Sequence, residues 1–114
     1  MSDIFDDFYV IFKYTRADAL HDGVLIDITK LAKEFGFKIP SAVTNNLVSE
    51  IDVQTQLPVL LRTFIEKIKF GHGLGEMIST ETISVTGKLI EVILHVGGGD
   101  DGEPVLTLML PEDM

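Results

Sequence analysis

The apolar and polar positions of the chain follow mainly a helical period as far as Gly71 and a period of two after it. Before that point, an aromatic and β-branched run over Phe8–Tyr14 predicts a strand. Thr15 then fits a helix N-cap with Asp18 three residues on, and Gly23 fits the stop, so Arg16–Asp22 predicts two helical turns. Val24–Ile28 predicts a second short strand. Thr29 is placed to cap a helix over Lys30–Phe35, where Leu31 and Phe35 lie one turn apart and Gly36 ends the pattern. After Pro40, Ser41 is placed to cap a third helix, with Val43, Leu47 and Ile51 recurring at helical spacing. The widest apolar stripe falls in Leu57–Phe70. Leu57, Leu60, Leu61, Phe64, Ile65 and Ile68 oppose Arg62, Thr63, Glu66, Lys67 and Lys69, and Gly71 stops the helix.

Beyond Gly75 the period becomes two. Ile83 and Val85 share one face of Thr82–Val85, and Thr86-Gly87 fits a tight turn. Leu89–Val96 is apolar on both faces, as a central strand requires. A glycine-rich acidic loop over Gly97–Glu103 leads to Val105–Leu110, whose Leu106, Leu108 and Leu110 share a face, and Pro111 ends pairing. The elements predict one α+β domain over residues 1–114: a helical N-terminal part of three to four helices and one or two short strands, packed on a C-terminal antiparallel three-stranded meander.

Composition narrows the chemistry. Zero cysteines exclude disulfides, thiolate metal sites and a cysteine nucleophile. No run approaches the roughly 18 to 20 apolar residues of a membrane span, so no membrane partner is expected. The start lacks the basic and apolar regions of a secretory signal, which predicts a cytoplasmic protein. Formal net charge is −9, and it is unevenly placed: −3 over residues 1–23, −1 over 24–96 and −5 over 97–114. Acidic ends repel nucleic acid and steer toward basic proteins, so no direct nucleic-acid binding is expected. The acids that would meet a basic partner are Asp3, Asp6, Asp7, Asp100, Asp101, Glu103, Glu112 and Asp113.

No catalytic motif emerges. His21 suits a helix C-terminus, His72 sits among glycines, His95 falls in a strand, and their spacing matches no metal-ligand pattern. Asp100, Asp101 and Glu103 lack the spacing of a calcium loop. No metal, cofactor or catalytic residue is therefore assigned. An alternative pocket, for an enzyme acting on a nucleotide or nucleic-acid end, would need Arg16, His21 and His72 to converge. The aromatic and acidic first residues, Phe5 above all, suit docking onto a neighbour, and homodimers through paired strand edges are a third reading.

The segment from Tyr14 to Thr29, YTRADALHDGVLIDIT, resembles the opening block of a family of small bacterial proteins of unknown function. Glu34–Pro40, Ala42–Thr44 and Gly99–Pro111 extend that resemblance over nearly the whole chain, although relatives would carry a tryptophan in the middle region that this chain lacks. The family occurs on phages, plasmids and other mobile elements, and the resemblance implies no activity. Mobile elements carry small acidic proteins that bind host defence machinery. Together with the charge, this points to a non-enzymatic protein-binding module, including an inhibitor of restriction or CRISPR-type defence.

Overall fold

A computed structural model describes residues 14–69 and 77–114. The expected strand over Phe8–Tyr14 lies outside them except for Tyr14, which is irregular, and so do Phe5, Asp3, Asp6, Asp7 and the loop around His72. The elements are α1 (Arg16–Asp22), β1 (Leu25–Asp27), α2 (Thr29–Glu34), β2 (Ser41–Thr44), α3 (Asn45–Glu50), α4 (Gln56–Lys69), β3 (Met77–Val85), β4 (Lys88–Gly98) and β5 (Pro104–Met109), then a 3-10 turn over Pro111–Asp113.

The class is α+β, but the expected architecture is overturned. The strands form one five-stranded mixed sheet in the order β1-β2-β5-β4-β3, in place of a three-stranded antiparallel meander. β2 and β5 run parallel, with Val43 opposite Leu108, and every other neighbouring pair is antiparallel. The error lies at Ser41–Thr44. These residues form a strand rather than the first turn of the third helix, and all four are buried. A strand covered on both faces shows no alternation, and Val43 falls at helical spacing from Leu47 by coincidence. The cap belongs to Thr44, whose hydroxyl accepts the Leu47 N–H at 3.2 Å.

The first helix forms as its local signals dictate. Thr15 and Asp18 make a reciprocal capping box, and Gly23 closes the helix at φ 80°, a left-handed conformation that suits glycine. α2 starts differently from expectation: Asp27, not Thr29, supplies the side chain, its Oδ1 accepting the Thr29 N–H at 2.9 Å and hydroxyl at 2.6 Å. Thr29 Oγ1 in turn accepts the Ser41 N–H at 3.0 Å, tying α2 to β2.

One face of the sheet makes the main core. Ile90, Val92, Leu94, Leu106, Leu108 and Val43 meet Leu57, Leu60, Leu61 and Phe64 of α4, together with Ala32 of α2 and Leu47 of α3. The opposite face of β5 carries Thr107, and α1 packs there. Thr86 and Gly87 both have positive φ, 49° and 82°, so the β3–β4 turn is of the I′ kind that matches strand twist. Among the described residues, no helix is long and apolar enough to cross a membrane.

Candidate binding surface

α1 is held on the sheet by a two-way clamp. The Arg16 guanidinium donates to Thr107 Oγ1 at 2.7 Å and to the Leu106 carbonyl at 2.8 Å, so its charge ends half-buried on β5. In return, the Asp100 carboxylate accepts the Arg16 N–H at 2.8 Å and the Ala17 N–H at 3.0 Å, two amides that the first turn of a helix leaves without partners. Burial pulls the Arg16 pKa down, while the carboxylates of Asp100, Asp27 and Glu103 push it back up. The guanidinium keeps its proton throughout.

Asp113 is used in a similar way at the other terminus. It accepts the Thr44 hydroxyl at 2.7 Å, the Asn46 amide at 2.8 Å and the Leu110 N–H at 3.0 Å. Partial desolvation works to raise its pKa, and the three donors outweigh it, so the carboxyl titrates below the usual range. Glu103 closes the glycine loop: its Oε2 accepts the Asp101 N–H at 3.0 Å, and its carboxyl folds over Gly99, where a side chain would have no room.

Of the eight acids expected to face a partner, Asp100, Glu103 and Asp113 therefore hold the fold together as well. Asp101 and Glu112 are exposed. Asp3, Asp6 and Asp7 lie outside the described residues. In the alternative set, the Arg16 guanidinium lies on β5, whereas the His21 side chain is 91% exposed beside Asp22, with Nδ1 to Oδ1 at 3.5 Å. His72 lies outside the described residues. His95 stands opposite Thr107 in the β4–β5 ladder. Among the described residues no three His, Cys, Asp or Glu side chains converge as a metal set.

The surface that sequence reading missed is a groove of about 430 Å3 between the end of α1 and the start of α3. Asp22 and Asp113 line it with Asn45, Asn46, Val24 and Leu25, and no basic side chain does. The Asp22 Oδ2 also accepts the Tyr14 hydroxyl at 2.9 Å. A second groove, of about 370 Å3, lies beside α2 between Asp27, Ile28, Lys30, Leu31 and Glu34. Glu112 lines a smaller one of about 210 Å3 with Glu50, Glu91, Lys88 and Leu89. The signal for the first groove was absent because its two carboxylates are 91 positions apart in the chain.

Comparison of the chain with protein-family models, with curated proteins and with solved structures gave no match.

Proposed function

We propose that this protein is a non-enzymatic binding module that receives a basic side chain of a partner protein in the groove between α1 and α3. The observation that carries this reading is the lining of that groove: two carboxylates, Asp22 and Asp113, with the Asn45 and Asn46 side chains and no lysine or arginine. A guanidinium or ammonium entering it would gain two opposite charges and an amide acceptor, with its aliphatic stem against Val24 and Leu25. The setting implied by the sequence resemblance makes a basic component of a restriction or CRISPR-type system the natural partner, met in the cytoplasm.

The test is capture of partners from lysate of a bacterial host by the tagged protein, in parallel with Asn45→Lys and Asp22→Asn. Both positions are exposed, so the fold is expected to survive both changes. A basic protein that leaves at high salt, and that Asn45→Lys fails to hold, supports the reading. A partner held equally by all three proteins defeats it.

A further inference from the structure

The two edges of the sheet are finished differently. At β3, which pairs only with β4, two of the outward carbonyls are met by α4: the Gln56 amide donates to Ser84 O at 3.1 Å and the Lys67 ammonium to Thr80 O at 2.6 Å. At β1, Asn45 N–H bonds to Val24 O and Ile28 N–H to Ser41 O, both at 2.9 Å, and Ile26 stands opposite Val43 between them. Val24 O, Ile26 and the Ile28 N–H thus face β2, while the Ile28 carbonyl accepts the Ala32 N–H, and antiparallel alternation turns the Leu25 N–H and C=O and the Asp27 N–H outward. No helix or side chain among the described residues meets these groups. The side chains that flank them are apolar and open, Val24 at 51% and Ile26 at 36% exposure.

This open edge runs between the two larger grooves. Leu25 lines the groove of Asp22 and Asn45, on the face where α1 packs. Asp27 and Ile28 line the groove shared with α2, which packs on the core face. Side chains of a strand laid against β1 would point alternately to the two faces, and so alternately toward the two grooves. The first offers Asp22. Asp27, two residues from Leu25, turns its carboxylate to that same face, toward Arg16, and the second groove offers Glu34 beside the apolar Ile28 and Leu31. Lys30 lines the second groove, and Arg16, held on β5, faces Asp27.

We infer that β1 accepts an extended segment of a partner protein, carrying lysine or arginine at alternate positions on the face of Asp22 and Asp27 and apolar residues between them on the face of Val24 and Ile26, which lengthens the sheet by one strand. This rests on the groove reading above and adds how the basic segment is held. Main-chain bonds to Leu25 and Asp27 give the register, and the first groove selects long side chains with a cationic tip. A second copy of this chain is the poorer occupant. Antiparallel pairing of β1 with itself about Ile26 would set the two Asp27 carboxylates diagonally across from each other on one face. With three residues, β1 is too short to pair indiscriminately, so affinity depends on the flanking contacts.

The experiment uses the full chain and three capped synthetic peptides of about seven residues: alternating lysine and valine, the same with a central proline, and alternating glutamate and valine. Affinity is measured at low salt, and amide exchange at Leu25 and Asp27 is followed by NMR. The lysine–valine peptide is expected to bind about tenfold more tightly than its proline form, to protect both amides, and to lose that advantage on Leu25→Pro. The glutamate peptide is expected not to bind.

Equal binding of the two lysine peptides without amide protection overturns strand addition. If that binding is still lost on Asn45→Lys, the groove reading stands by itself. Failure of both lysine peptides overturns the two readings together. Protection of Leu25 and Asp27 that grows with protein concentration and no peptide assigns the edge to a second copy, and overturns the basic occupant. Amide protection in the wild-type chain decides the matter even if Leu25→Pro does not fold.

Discussion

The β3 edge is nine residues long and bridged to α4 at two of its carbonyls, whereas the β1 edge is three residues long and open. A long flat edge offers many unpaired backbone groups to any passing strand, so a soluble domain must cover or charge it. Here α4 places Gln56 and Lys67 on two of the carbonyls, and Lys67 adds a charge at the edge with a 2.8 Å ion pair to Glu81. The short edge carries little such hazard, and two acidic grooves flank it. One helix thus protects the sheet on one side, and the other side is left to select a partner by charge.

The heaviest blow to this arrangement is one that loosens α4. Phe64 is fully buried among the core residues of the sheet. Phe64→Ala is expected to cost about 3–5 kcal/mol through lost transfer energy and the cavity left behind. Thermal unfolding should show the drop. Size-exclusion chromatography should show association before unfolding, since a loosened α4 uncovers β3. Loss of stability without association would mean that α4 does not guard the edge.

Next in size is the clamp on the opposite face. Asp100→Ala removes the acceptor for the Arg16 and Ala17 amides and is expected to cost about 1–2 kcal/mol, the range of a lost helix cap. Chemical denaturation measures it. Because α1 carries Asp22 into the first groove, the same variant should weaken capture of a basic partner. Asp101→Ala touches no such bond through its side chain and is the matched control. Equal stability of the two variants would show that the clamp is not what holds α1.

How much of this was legible in the sequence follows from the reach of each interaction. α1 was legible because Thr15, Asp18 and Gly23 act within two turns of one another. The apolar stripe of α4 was legible for the same reason, since its period is local. β2 was not, because its partner β5 lies some 65 residues away and its burial on both faces erases alternation. The roles of the acids were hidden in the same way. Asp100 bonds 84 and 83 positions back along the chain, and Asp113 bonds 69 and 67 positions back. Read as a linear pattern they are surplus charge at one end, and folded they are partners for amides and hydroxyls.

Acid pH probes both sides of the open edge. The Thr29 hydroxyl and amide lower the Asp27 pKa; burial opposes this, and Arg16 assists. Asp113 is lowered by its three donors against desolvation. Each carboxyl therefore binds its proton less readily folded than unfolded, where the ordinary value is 3.8. Their contribution is whole above that value and is lost as pH falls through the lower folded values. Stability measured from pH 6 down to 2 should fall in that acid window. Asp113→Asn should make the fall shallower without removing it, since Asp27 remains. An unchanged slope would show that the Asp113 network contributes nothing to folding.

The smallest effect on stability carries the sharpest test of the contrast between the edges. Lys67 is about half exposed, so its ion pair with Glu81 and its bond to Thr80 O should be worth no more than about 1 kcal/mol together. Lys67→Met keeps the stem and helix propensity of the residue and deletes only the charge and the donors. Denaturation midpoints should barely move. Yet the Thr80 carbonyl is then uncapped in the middle of a nine-residue edge, and a lysine that blocks strand docking is gone. Light scattering at rising protein concentration should therefore show association for Lys67→Met that the parent chain lacks, and salt should promote it by screening the net charge of −9. If the variant stays monomeric across that range, the seal on β3 rests on the bulk of α4 rather than on the lysine, and the two edges differ by cover alone rather than by charge.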